Sequence, residues 1–297
     1  MIDSVIDALQ FDFMRNALLA GVLVSIACGI IGTLVVINRI VFISGGIAHA
    51  AYGGVGLAYF FNFDPILGAI TFSLASALGM GLVQRTTRQR SDTIIGVLWA
   101  VGMALGIILI DLTPGYKADL LSYLFGSILS VPTSDLWLML ALNLIILAAV
   151  TVLFKELLAL SFDETFTTVA NVPVNVIYLV LVVLIALTVV MTMRVVGLIM
   201  VIALLTIPPA ISEHLVRHVQ QMMIVSSIIG VVFTMTGLWL SYFLNLTSGA
   251  TIILVAGCGY LLSLTIRFAL RSWQSRHVPV DAVAAEDSLT SVETPVR

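Results

Sequence analysis

The chain has 297 residues, of which 60 % are hydrophobic and only 10 % charged, and its formal net charge is −3. A soluble domain carries roughly 45–50 % apolar and about 25 % charged residues, and here the apolar excess falls in long runs, which excludes an ordinary water-soluble enzyme. The few basic residues are scattered, which argues against nucleic acid as a partner.

Runs of about 20 apolar residues match the hydrocarbon thickness of a bilayer. Lipid offers no hydrogen bonds to the backbone, so such runs must be helical. The predicted fold is therefore all-α, a polytopic membrane helix bundle of about 8–9 transmembrane helices. Spans are predicted over 17–38, 46–61, 64–83, 92–112, 135–154, 174–193, 195–212, 220–244 and 249–267.

The first run starts near Leu18, lacks a basic flank and is too long for a cleavable signal, so none is expected. It holds Cys28; the only other cysteine, Cys258, lies in the last run. Both are read as small packing residues rather than a disulfide framework. The second run is short and rich in glycine (Gly53, Gly54, Gly56), which suits close helix approach. It carries His49, the one ionisable group placed within a span. That histidine is either a functional contact or an imidazole hydrogen-bonded to a neighbouring helix.

The loop 84–91 carries Arg85, Arg88 and Arg90, and basic loops face the cytoplasm. Alternation then places Arg39, Lys155, Arg217, Arg267, Arg271 and Arg276 inside, with the N-terminus outside and the C-terminus inside. The stretch 113–134 becomes an outer loop with Thr113-Pro114-Gly115-Tyr116, Asp119 and Tyr123-Leu124-Phe125-Gly126. The stretch 155–173 becomes an inner loop, where Asp163 and Glu164 either cap a short helix, contact a partner, or are simply solvated. Pro208-Pro209 is expected to end the seventh span, because proline removes a donor and crowds the preceding turn. A short surface helix over 211–219, with Glu213 and Arg217, would follow. His214 and His218 are four apart and would share its face; a solvated surface is the commoner role of such a pair. Residues 1–276 form the predicted transmembrane domain, and the polar, acidic 277–297 reads as a disordered cytoplasmic tail.

The sequence contains no G-x-x-x-x-G-K-[ST] phosphate loop, no H-E-x-x-H and no G-x-S-x-G elbow. ATP hydrolysis and intramembrane hydrolysis by this chain therefore lack support. A proton-coupled carrier would carry acids within its spans, but Asp92, Asp111, Arg194 and Glu213 all fall near span ends.

Four patches together resemble the membrane permeases of zinc- and manganese-type ABC importers, over roughly 10–270. They are Arg39 followed by Ser44 to Gly56 around Ala48-His49-Ala50, then Ser91-Asp92-Thr93-Ile94-Ile95-Gly96. Asp119-Leu120 with Tyr123 to Gly126 is the third, and Val196-Gly197-Leu198 through Ala203-Leu204-Leu205-Thr206-Ile207-Pro208 to Ala210 the fourth. More distantly, the layout from 161 to 217 resembles vitamin B12- and siderophore-type importer permeases. The resemblance implies a homodimer in the bacterial inner membrane, with two cytoplasmic ATPase subunits beneath it. It also implies an extracytoplasmic metal-binding protein that docks on the outer face. The cargo would be zinc, manganese or iron, with a metal chelate or other small solute as the alternative and a secondary carrier less favoured. No cofactor is held by this chain; ATP is used by the partner subunit. Residues 209–219, with Pro208, Pro209, Glu213 and Arg217, would transmit the ATPase motion, assisted by 161–173 with Asp163 and Glu164. His49 would contact the metal. Many relatives place an aspartate four residues before that histidine; here the position is Gly45.

Overall fold

The computed structural model describes residues 7–86, 91–114, 126 and 128–276. Arg88, Arg90, the motif residues Asp119 to Phe125 and the tail 277–297 lie outside the described residues. Among the described residues the helices are α1 Asp12–Ile37, α2 Val41–Phe60, α3 Pro65–Thr86, α4 Ser91–Leu112, α5 Thr133–Val152, α6 Phe154–Phe162, α7 Glu164–Val169, α8 Val174–Val196, α9 Leu198–Ser212, α10 Val219–Leu244 and α11 Ser248–Arg276. A 3-10 turn over Ile128–Ser130 precedes α5, and no strand occurs among the described residues. The chain divides into two compact units. The first ends at Gly257, and the second, from Cys258, is helical in its described part and exposes Leu261, Leu262 and Phe268.

Among the described residues, eight helices are long and apolar enough to cross a membrane. The seventh expected span, α9, has 15 residues, about 22 Å of rise, against a hydrocarbon core of about 30 Å. Gly197, at φ 78°, breaks the chain between α8 and α9, a conformation that glycine adopts without steric cost.

Helices α1, α2 and α8 are the centre of the first unit. Their most apolar stretches are 72–78 % buried, whereas those of α3, α4, α5 and α10 are 22–33 % buried and turn apolar side chains outward. That inversion suits a chain surrounded by lipid, where packing rather than water exclusion must hold helices together. Small residues let the central helices approach. On α1 the series Gly21, Ser25, Gly29, Thr33 recurs every four residues, and three members meet α10. A Cβ on Gly21 would lie 2.8 Å from Thr234 Cγ2, one on Gly29 would press on Ser227, and Ser25 Oγ lies 3.2 Å from Thr234 Oγ1. Buried hydroxyls return to their own helix: Ser25, Thr33, Thr188 and Thr192 each donate to the carbonyl four residues back, at 2.7–2.8 Å. Asn143 of α5 donates to Leu23 O at 3.0 Å, closing the one large buried amide against α1.

Cys28 is buried against Thr192, as a packing cysteine should be, but Cys258 is exposed, and both are free. The stretch 155–173, expected as a loop, contains α6 and α7. Leu157 and Leu160, three apart, bury one face of α6, and Asp163 caps α7 by accepting from Phe166 N–H at 2.9 Å. The expected stop at Pro208-Pro209 does not occur. Both prolines lie inside α9, which ends at Ser212, and 213–218 is a turn rather than a helix.

Candidate permeation contact and cytoplasmic-end groove

Helix α2 begins at Val41, one turn earlier than its glycine content suggested. His49 is therefore eight residues inside it, about 12 Å from the helix start at 1.5 Å per residue. The histidine sits near mid-bundle rather than at a helix end.

Three helices enclose this part of α2. Helix α3 runs antiparallel to it: a Cβ on Gly54 would press on the Gly68 carbonyl, and one on Gly46 would meet Met80 Sδ at 3.1 Å. Helix α4 runs parallel, with Gly53 against the Gly102 carbonyl and Gly106 against Tyr52 O. Ile202 of α9 covers the same turn, because a Cβ on Gly45 would lie 3.3 Å from its Cδ1.

The His49 ring lies on the indole of Trp99, with centroids 4.2 Å apart and planes 16° apart. Phe42 also contacts Trp99, with ring centroids 5.8 Å apart and planes tilted by 46°. His49 Nδ1 is buried and meets no hydrogen-bond partner among the described residues. The alternative of an imidazole hydrogen-bonded through Nδ1 to a neighbouring helix is therefore not what this packing provides. An unpartnered buried polar atom inside a membrane bundle calls for an explanation, structural or functional. No group of three or more His, Cys, Asp or Glu side chains converges among the described residues.

At the helix ends nearest Arg39 a polar groove of about 1230 Å³ opens between α1, α3, α6, α7 and α8. Arg85, at the end of α3, donates to Glu164 Oε1 at 2.7 Å and lies 5.0 Å over the Tyr178 ring. Tyr178 in turn donates to Gln84 at 2.9 Å, and Asn38 donates to Ser161 Oγ at 2.8 Å. These contacts tie the short helices to the ends of α1, α3 and α8. Sequence reasoning found Glu164 but not its ion pair with Arg85, 79 residues away, nor the Tyr178 ring beneath that arginine.

Lys155 and Gln220 line a second, apolar groove of about 780 Å³ at the same end of the bundle. Arg217 directly precedes α10, whose first turns pack beside the end of α1. The structure thus gathers Arg39, Arg85, Lys155 and Arg217 at one end, as the charge pattern required. Asp163 and Glu164 belong to α7 beside α8, while Pro208, Pro209, Glu213 and Arg217 belong to α9 and its turn into α10.

Glu164 is half-exposed, and exposed ion pairs contribute about 0–1 kcal/mol. Glu164→Gln should therefore leave the detergent-solubilised chain as thermally stable as the wild type. A large drop in melting temperature would show that the pair, rather than the apolar faces of α6 and α8, holds the short helices.

Residues 10–267 match the sequence profile of the ABC 3 transport family. An uncharacterized membrane protein of Synechocystis sp. is 61 % identical over 267 residues, covering 90 % of this chain and 95 % of its own. The manganese transport system membrane protein MntC of Listeria monocytogenes is 35 % identical over 248 residues, covering 84 % and 88 %. Among solved structures, PsaBC from Streptococcus pneumoniae in complex with Fab superposes with a TM-score of 0.80 at 34 % identity, covering 89 % of this chain and 95 % of that one.

Proposed function

The chain belongs to the ABC 3 transport family, and we propose that it is the permease subunit of an importer that moves a divalent metal ion across the bacterial inner membrane into the cytoplasm. The observation that supports this most is His49, mid-bundle on the tightly packed α2, with its buried Nδ1 unpartnered. The manganese function named for the Listeria relative points to the same cargo class. Neutral imidazole is a common ligand of transition metals, and one weak contact suits a conduit that must release its ion.

Two copies would enclose the pathway, with a separate ATPase subunit under each and a metal-binding protein on the outer face. The end carrying Arg39, Arg85, Lys155 and Arg217 is taken as cytoplasmic by the positive-inside rule, and the C-terminal tail is placed there too. Residues 1–276 are the permease proper. Helices α6 and α7 are the better coupling element, because they stand at that end and are tied to α1, α3 and α8 through Asn38, Arg85 and Tyr178. The turn 213–218, with Glu213 and Arg217, is the second contact. Closure of the ATPases would move α6–α7 and, through them, the helices around His49.

The test is metal-stimulated ATP hydrolysis and uptake in proteoliposomes holding the full chain with its ATPase and binding-protein subunits. Zinc, manganese and iron are supplied in turn. Stimulation of both activities by one of them is expected. If the complete assembly responds to none, the cargo is a chelate or another small solute.

A further inference from the structure

We propose that the apolar groove between α1, α5, α6 and α10 binds one phospholipid whose headgroup carries both a phosphate and a primary ammonium, phosphatidylethanolamine. Such a site requires only that the chain span a membrane, whatever its cargo. The groove encloses about 780 Å³. Its floor is apolar and closed, with Ile30, Val150 and Met223 buried. Its rim is apolar and open, with Ile224 and Ile228 more than half exposed. The hydroxyls in its wall are satisfied within their own helices: Thr151 donates to Leu147 O and Ser227 to Met223 O, both at 2.8 Å. Such a wall offers no partners to water and suits hydrocarbon. Along α10 the groove runs from Gln220 to Ile228, about 12 Å at 1.5 Å per residue. One leaflet of hydrocarbon is about 15 Å deep, so the groove has the length of a single leaflet, the one at the basic end of the bundle.

The charged lining, Lys155 and Glu156, stands at one end, where α5 gives way to α6, with Gln220 at the same end. Neither charge is in an ion pair among the described residues. Lys155 is exposed, whereas Glu156 Oε2 is shielded and meets no hydrogen-bond partner. A shielded carboxylate oxygen without a donor is costly. The terminal torsion of a glutamate is broad, so a small turn of the carboxylate presents that oxygen to the groove. The two neighbouring side chains then select the headgroup. Lys155 is a point charge suited to a phosphate. Glu156 requires an N–H donor close to that phosphate, and the ethanolamine ammonium supplies one. Choline has the same phosphate but a fully methylated nitrogen that donates nothing, and a glycerol headgroup brings no positive charge. An apolar helix of a second copy laid in the groove would leave Glu156 Oε2 as unpartnered as before. The lipid would bridge the start of α6 to the first turns of α10.

The experiment reconstitutes the full chain in vesicles of phosphatidylethanolamine, phosphatidylcholine and phosphatidylglycerol in equal amounts. The protein is extracted in mild detergent, and the phospholipid that stays with it is measured by mass spectrometry. The wild type should retain about tenfold more phosphatidylethanolamine than phosphatidylcholine, the scale of one hydrogen bond between charged groups. Glu156→Leu should abolish that preference yet still retain phospholipid, because Lys155 and the groove remain. Lys155→Met should lower retention of all three lipids about tenfold, through loss of the phosphate contact. Thr151→Phe fills the groove from an exposed position and should lower retention of all three with a normal size-exclusion profile. Equal retention of phosphatidylethanolamine and phosphatidylcholine by the wild type overturns the proposal. A preference for phosphatidylglycerol does the same, since Lys155 alone would then read the headgroup. So does an unchanged preference in Glu156→Leu. A Thr151→Phe variant that keeps its lipid but runs at half the wild-type size makes the groove a face between copies, and that too overturns the lipid site.

Discussion

Gly54→Ala should yield almost no folded, monodisperse permease. Gly54 and Gly68 face each other where α2 crosses α3: a Cβ on either would press into the carbonyl of the other. The Gly54 Cβ would also fall 2.6 Å from the Cβ of Phe72, and the Gly68 Cβ 2.8 Å from that of Ala58. These obstacles are backbone and Cβ atoms, so no rotamer change relieves them and the helices must separate. Overpacking of a core typically costs about 1–3 kcal/mol and more where backbone must move. Here the same separation would open the α2–α4 contacts at Gly53, Gly102 and Gly106, because α2 is held on both sides. Helix association in lipid rests on such close packing, so little remains to offset the loss. Gly79→Ala on the same α3 is the control, since a Cβ there meets nothing within 4 Å. Alanine is the better helix former by about 1 kcal/mol, so that variant should be at least as stable as the wild type. Size-exclusion profiles in mild detergent separate the two outcomes. Normal profiles for both would show that α2 and α3 cross less tightly than described.

Most of the architecture was legible because apolar run length is a strong signal: every predicted span overlaps a helix. What misled was local chemistry read without its neighbours. The second span was predicted to start at residue 46, yet Gly45 and Gly46 both lie inside α2, as contact points for α9 and for α3 and α4. Pro208-Pro209 looked like a stop. Pro209 does deprive Leu205 of its usual donor, but that carbonyl faces Gly32 of α1, whose Cβ would press on it. A backbone C–H can approach there where a larger residue could not. Ser212 Oγ and Glu213 N–H then both donate to Pro209 O, closing the last turn. Charges at 155–164 looked like a loop, because the apolar face of α6 is only two leucines wide. The Trp99 stack was out of reach for another reason: His49 and Trp99 are 50 residues apart, and nothing in either segment names the other.

His49→Ala should lower metal uptake by about tenfold or more while leaving the fold intact. The two halves of that expectation come from the same geometry. His49 Nδ1 makes no hydrogen bond, so truncation leaves no buried partner unsatisfied, and the structural cost is the lost stack on Trp99. Aromatic stacking contributes about 0.5–1.5 kcal/mol beyond area, too little to unfold a bundle whose core spans α1, α2 and α8. Transport is different, because among the described residues no cluster of acids, thiols or imidazoles stands ready to replace the donor. A cation would then cross an apolar stretch with only backbone carbonyls and water to replace its hydration shell, and losing such a contact raises the barrier on the scale of tenfold per 1.4 kcal/mol. His49→Gln keeps a polar donor and acceptor of similar reach and should recover part of the rate. The measurement is initial uptake at saturating binding protein, beside ATP turnover in the same vesicles. Full ATP turnover with lost uptake places His49 on the ion's path. Loss of both with a normal size-exclusion profile places it in the coupling between α2 and the short helices. Unchanged uptake makes it a packing residue.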